Sequence, residues 1–162
     1  MIANLSVAGL SVSPLAGWLL VHGGVPVLFA GWMMKTICLA ALVEATADTV
    51  SSEIGQAFGG QPVMITTLRR VAPGTDGGLT VLGSLAGVAA GILVTLAGVW
   101  AMQLQTASAW IALVGGVGGL FFDSLLGATL ERRGWLENDM VNFTSTVFAG
   151  LVAAAAYLFF VG

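Results

Sequence analysis

Five runs of apolar residues, separated by short polar or glycine-rich stretches, divide this chain: Leu5–Val21, Val27–Val50, Leu79–Met102, Trp110–Leu130 and Val141–Val161. Each is close to the roughly 20 residues an α-helix needs to cross a bilayer. The pattern predicts an all-α, polytopic transmembrane bundle of about five helices, forming a single integral membrane domain over residues 1–162. The connections are a tight turn at 22–26, a long polar loop at 51–78, a short linker at 103–109 and a polar loop at 131–140.

Composition agrees with the pattern. Hydrophobic residues are 57% of the chain and charged residues only 8%, where a soluble domain carries about 25% charged residues. The 23 glycines lie among Leu, Val and Ala, as expected of closely packed membrane helices. Gly83, Gly87 and Gly91, with Gly115 and Gly119, have the four-residue spacing that lets helix backbones approach. The absence of a basic stripe excludes a nucleic-acid reader. A single cysteine, Cys38 in an apolar run, excludes an intrachain disulfide and a cysteine-based zinc site. The first twenty residues carry no Lys or Arg and do not read as a cleaved signal peptide.

Charge then orients the bundle. Glu53, Arg69, Arg70 and Asp76 fall in the first polar loop, and Glu131, Arg132, Arg133, Glu137 and Asp139 in the second. With five crossings both loops share one side, and the opposite connections carry no charge. The positive-inside rule puts both loops and the N-terminus in the cytoplasm. Trp18, Trp32, Trp100, Trp110 and Trp135, near helix ends, read as interfacial anchors, and His22 as a loop histidine on the uncharged side.

Four constellations carry candidate chemistry, all near the charged face. Glu44, Asp48 and Ser51 fall within about 60° on one helix face, and acids in a membrane helix are rare unless they face a protein interior or a wet cavity. Glu53, which would point away if the helix continued, is expected to open the loop. Lys35 precedes Glu44 by nine residues, about 13 Å along a helix, and is a poor partner for it. Arg69 and Arg70 precede Gly74-Thr75-Asp76-Gly77-Gly78, where guanidinium groups, free backbone N–H groups and the start of a helix at Leu79 suit phosphate oxygens. The terminal Gly-Lys-Ser/Thr of a P-loop is absent. Asp123 and Ser124 end the fourth apolar run, with Gly127 on the face of Asp123 leaving room beside the carboxylate. Asn138 and Asp139 are good N-caps for the last helix, and Asn142 sits one turn in. Carboxylates, arginines and an N–H-rich loop at one face fit metal-assisted chemistry on phosphates. A transported cation would more naturally use acids at the midplane.

At these motifs the chain resembles the phytyl-phosphate kinase family, which includes the transmembrane protein 19 group and prokaryotic membrane proteins. The matching stretches are Glu44-Ala-Thr-Ala-Asp48-Thr with Glu53-Ile-Gly, Arg70-Val-x-Pro-Gly74-Thr75-x-Gly77-Gly78, Asp123-Ser-Leu-Leu-Gly127-Ala-Thr, and Gly134-Trp-Leu-x-Asn138-Asp139-x-Val-Asn142. They run in order from about residue 3 to residue 150. Ala3-Asn4 also resembles the family's Ala-Asn before its first matched helix and adds Asn4 as a site candidate. Family members usually carry further N-terminal helices, and many have a longer loop at 131–138. The family is in turn similar to the dolichol kinase and phosphatidate cytidylyltransferase group.

The resemblance implies a membrane kinase that phosphorylates an isoprenoid monophosphate to the diphosphate from a nucleotide such as CTP, with Mg²⁺. Asp48, Asp123 and Asp139, with Glu44 or Glu53, would hold the metal and the triphosphate. Arg69, Arg70, Gly74, Thr75, Gly77, Gly78, Ser124, Asn142 and Asn4 would contact phosphates or substrate. A cytidylyltransferase that makes a CDP-lipid would need the same sites, and a non-catalytic transporter or scaffold is the reading from another class. Five helices are few to enclose a nucleotide and a prenyl chain, so a homodimer is expected, with the Gly83/Gly87/Gly91 face as its interface.

Overall fold

A computed structural model describes residues 2–161, with side chains from Leu5 to Val161. Six α-helices account for about three quarters of it, as the hydropathy pattern requires. Four are long and apolar enough to cross a membrane, and five spans result if one bent pair is counted as a span.

That bent pair replaces the first expected crossing. The run Leu5–Val21 forms two helices, α1 (Ile2–Ser11) and α2 (Pro14–His22), bent by 55°. The break has a local cause. Pro14 occupies the first turn of α2, and the Ser13 hydroxyl caps it by accepting the Ala16 N–H at 3.2 Å. A residue before proline is pushed out of the helical region, and Ser13 sits at φ −73°, ψ 154°. Gly23 and Gly24, the latter at φ +92°, turn the chain into α3.

Helix α3 (Val27–Phe58) has 32 residues, about 48 Å at 1.5 Å per residue, against a hydrocarbon core of about 30 Å. It runs eight residues beyond the expected end at Val50, because no breaker precedes Gly59 and Gly60; Gly60 takes φ +71°. Glu53 therefore lies on this helix rather than opening a loop. The remainder of the 51–78 segment is also ordered: β1 (Val63–Met64) pairs antiparallel with β2 (Gly78–Leu79), Val63 opposite Leu79. Helix α4 (Val81–Met102) starts two residues later than expected, capped by the Thr80 hydroxyl on the Gly83 N–H. Helix α5 (Thr106–Thr129) leads through a 3₁₀ turn at Glu131–Arg133 to α6 (Asn138–Phe160). The residue capping α6 is Glu137, in extended conformation and without a side-chain bond to the helix; Asn138 and Asp139 are already helical.

Helix α3 is the axis of the bundle and packs against α1, α2, α4, α5 and α6. Its contact with α4 is a seam of small residues in antiparallel register. A Cβ added at Gly83 would lie 2.5 Å from the Ser51 carbonyl oxygen, and one at Gly87 2.6 Å from that of Ala47. At Gly91 it would lie 3.2 Å from Val43 Cγ1, and at Gly98 it would strike Leu39. The expected dimer face is thus occupied within the chain, because α3 presents Ser51, Ala47, Val43 and Leu39 at the matching four-residue steps. Gly116 meets Val43 and Ala40 of α3, and Gly115 and Gly119 meet α6 at Ala149 and Ser145. The opposite face of α4 leaves Leu85, Leu93, Leu96 and Trp100 exposed, an apolar surface of the kind that suits lipid. Lys35 donates to the Met102 carbonyl at 3.2 Å and lies over the Trp32 ring, so it neutralises the C-terminal end of α4 and not Glu44.

Candidate active site

The charged end of the bundle holds a cavity of about 400 Å³. Its walls come from parts of the chain that only the fold brings together. The last turns of α3 contribute Asp48, Ser51, Ser52, Glu53 and Gln56. The segment from Pro73 to Thr80 forms a second wall. Asp123, Ser124 and Gly127 end α5, Glu131 follows in the 3₁₀ turn, and Asn138 and Asn142 open α6. The extra length of α3 matters here, since it lifts Ser52, Glu53 and Gln56 to the cavity rim.

The loop wall is shaped by turns. The Thr75 N–H and hydroxyl both donate to the Ala72 carbonyl, at 3.2 and 2.7 Å, and the Gly78 N–H donates to the Thr75 carbonyl at 2.9 Å. The N–H groups of Gly74, Asp76 and Gly77 have no intrachain acceptor among the described residues. Gly74 and Gly77 take φ +78° and +73°, which L-residues rarely adopt. Gly77 also docks the loop on α5: its nitrogen is 3.0 Å from where a Cβ on Gly127 would be. The room that Gly127 leaves is therefore taken by this loop, and the carboxylate of Asp123 faces the cavity beside it.

Beneath the cavity lies a buried polar junction. Glu44 is fully buried and does not line the cavity. The Ser145 hydroxyl is 2.7 Å from its Oε1, and the Thr146 hydroxyl donates to its Oε2 at 2.6 Å. Ser145 Oγ also lies 3.0 Å from Asp123 Oδ2. In the α6 wall, Asn142 donates its amide to the Asn138 side chain at 3.2 Å.

Of the residues singled out in the sequence, Asp48, Glu53, Gly74, Thr75, Gly77, Gly78, Asp123, Ser124 and Asn142 meet at this cavity. Arg69, Arg70 and Asp139 do not line it and are exposed. The backbone of Arg70 bridges to Val63, so the hairpin directs both arginines outside the cavity. Asn4 lies outside the described side chains. Among the described residues no three His, Cys, Asp or Glu side chains are arranged to hold one metal ion. The five carboxylates expected to surround a cation are therefore not one shell: Glu44 is held by hydroxyls, Glu53 is exposed at the rim, and Asp139 is outside. The donors that remain still suit Mg²⁺, which takes one or two carboxylates and completes its octahedron with water and phosphate oxygens.

Asp76, Glu131, Ser145 and Thr146 belong to the site although the sequence motifs do not mark them, and Asn138, which reads as a cap, lines the cavity. The signal was present for α6, where Asn138, Asn142, Ser145 and Thr146 recur at helical spacing along one face.

A family model described as integral membrane protein DUF92 matches residues 3–150. The chain belongs to that family. At this level the resemblance carried by the motifs holds. An uncharacterised membrane protein of Methanocaldococcus jannaschii is 35% identical over 145 residues, covering 85% of this chain and 60% of that protein. An uncharacterised membrane protein of Synechocystis is 32% identical, covering 71% of this chain and 45% of its own length. Protein VTE6, chloroplastic, of Arabidopsis thaliana is 32% identical over 110 residues, 66% of this chain and 33% of that protein. This DUF92 chain thus spans between a third and three-fifths of the length of these relatives. No solved structure matches it.

Proposed function

We propose that this protein is a membrane phosphotransferase working at the cytoplasmic face, moving a phosphoryl group from CTP to an isoprenoid monophosphate. One observation carries the reading: Asp48, Asp123 and Glu131 line the same cavity as the open N–H groups of the Gly74–Gly78 loop. An all-acidic pocket repels a bare phosphate, and an N–H-rich loop does not attract a bare cation. A metal–polyphosphate ligand satisfies both walls.

In this reading the N–H groups of Gly74, Asp76 and Gly77 receive oxygens of the triphosphate, and Asn138 and Asn142 orient it by their amides. Mg²⁺, when bound, neutralises charge on the phosphates and holds them in line for transfer. Asp48 and Asp123 would hold it, with Glu131 across the cavity. The acceptor phosphate oxygen attacks the γ-phosphorus, the bond from that phosphorus to the β-bridging oxygen breaks, and CDP leaves with that oxygen. The acceptor is already an anion at neutral pH, so no strong base is needed. Arg69 and Arg70, exposed on the hairpin, would meet the lipid phosphate from outside the cavity.

The test is to incubate the purified chain in lipid with CTP labelled in the γ-phosphate, Mg²⁺ and a panel of prenyl phosphates. Label in the lipid together with CDP supports the kinase. Pyrophosphate together with a CDP-lipid would replace it by a cytidylyltransferase. Neither product across the panel would refute nucleotide transfer and leave a transporter or scaffold.

A further inference from the structure

We infer that Glu44 is a positioning residue that acts through Ser145 on Asp123, and not a ligand of anything held in the cavity. Its side chain has no path to a ligand, being fully buried and absent from the lining. Its two oxygens meet different hydroxyls, Ser145 at 2.7 Å and Thr146 at 2.6 Å, which orients the carboxylate; both hydroxyls also reach the Asn142 carbonyl oxygen, at 3.0 and 2.7 Å. Ser145 Oγ carries one hydrogen, yet it stands within hydrogen-bond distance of three acceptors: Glu44 Oε1, Asp123 Oδ2 and, at 3.0 Å, the Asn142 carbonyl oxygen of its own helix. Glu44, the nearest of the three at 2.7 Å, competes for that hydrogen, so withdrawing it changes what Ser145 offers to Asp123, whose carboxylate does line the cavity.

The arrangement is built by three helices. Glu44 comes from α3, Asp123 from α5, Ser145 and Thr146 from α6. Gly119 of α5 makes it fit: a Cβ there would stand 2.5 Å from Glu44 Cγ and 3.2 Å from the Ser145 carbonyl oxygen. Partners that orient a metal-binding carboxylate without touching the metal are worth about 10–100-fold in metal affinity. Glu44 and Ser145 have that relation to Asp123.

The inference rests on the reading that Asp123 meets a metal–phosphate ligand, and the two can fail separately. The experiment titrates Mn²⁺, as a stand-in for Mg²⁺, into the full chain in lipid nanodiscs and follows binding by electron paramagnetic resonance. Glu44→Gln and Ser145→Ala should each weaken binding about tenfold, the double variant no further, and Asp123→Asn should remove it. Loss of binding in Glu44→Gln with Ser145→Ala unaffected would make Glu44 a direct ligand and overturn the inference. Unchanged affinity in both, with only thermal stability reduced, would make the junction merely structural and also overturn it. A wild-type chain that binds no Mn²⁺ sinks the metal–phosphate reading instead, and thermal unfolding then decides. The destabilisations by Glu44→Gln and Asp123→Asn should be non-additive by about 2–4 °C, and additive in a Ser145→Ala background. Additivity in both backgrounds overturns the inference.

Discussion

Gly74 and Gly77 offer a matched pair of substitutions, because they line the same cavity and differ in one physical respect. Both take positive φ, so alanine at either position incurs the strain of the left-handed region, roughly 1–2 kcal/mol. A Cβ at Gly74 meets nothing within 4 Å, so that strain is the whole effect. A Cβ on Gly77 would lie 2.5 Å from Ala128 N and 2.6 Å from Ala128 Cα. Those atoms belong to the backbone of α5 and cannot swing aside, and overpacking of this kind adds about 1–3 kcal/mol. In a chain of this size about 1 kcal/mol moves Tm by about 2–4 °C. Gly77→Ala should therefore melt about 2–12 °C below Gly74→Ala, up to the point at which the loop lets go of α5. Once it does, the wall carrying the open N–H groups is lost, and binding of a nucleoside triphosphate with Mg²⁺ should fall further in Gly77→Ala than in Gly74→Ala. Scanning fluorimetry and equilibrium binding in lipid read both quantities. Equal Tm and equal affinity in the two variants would refute the docked loop as the phosphate-facing wall.

Two further outcomes follow from the same geometry. Asp48→Asn and Asp123→Asn should each abolish phosphoryl transfer while the protein stays folded in detergent; near-normal turnover in both would remove the metal site from the mechanism. Cysteines placed at Thr75 and Glu137 should be labelled from the cytoplasmic side only, since the arginines cluster in these segments and the buried Cys38 contributes no background. Labelling from outside intact cells would reverse the orientation and separate the cavity from cellular CTP.

The sequence was most legible where a helical period carried the signal. Glu44, Asp48 and Ser51 share a face, and all three turn inward from α3 as that face predicts. It was least legible where the signal was too short to have a period. Two-residue strands leave no alternation to read, so the pairing that leaves Arg69 and Arg70 outside the cavity has no signature in the sequence, where both arginines read as phosphate ligands. The break at Ser13–Pro14 was written in the residues but masked by a continuous apolar run. Ser145 and Thr146 share a polar face of α6 that the helical period does show, but their partners, Glu44 of α3 and Asp123 of α5, come from other helices and only the fold names them. The roles of the carboxylates likewise separate only in three dimensions. Glu44 and Asp48 are one turn apart, yet one is sealed beneath the cavity and the other lines it.

The glycine seam shows the limit of spacing arguments most clearly, and it makes its own prediction. Spacing identifies a face that another backbone can approach, and it is silent on whose backbone. Here α3 meets Gly83, Gly87 and Gly91 in antiparallel steps, so the face is spent inside the monomer, and a homodimer would have to form through another surface. Gly87→Leu should then disrupt the α3–α4 contact whatever the oligomeric state. The milder comparison is Gly87→Ala against Gly118→Ala, both inside helices. At Gly118 a Cβ meets nothing within 4 Å, so alanine should stabilise by about 0.5–1 kcal/mol through backbone entropy. At Gly87 the same gain is opposed by contacts of 2.6 Å to the Ala47 carbonyl oxygen and 2.9 Å to Ser51 Cβ, an overpacking of about 1–3 kcal/mol. The signs should therefore differ, with Gly118→Ala raising Tm and Gly87→Ala lowering it at every protein concentration. A Gly87→Ala loss that vanishes on dilution would instead assign the seam to a contact between copies, because only an intermolecular interface depends on concentration.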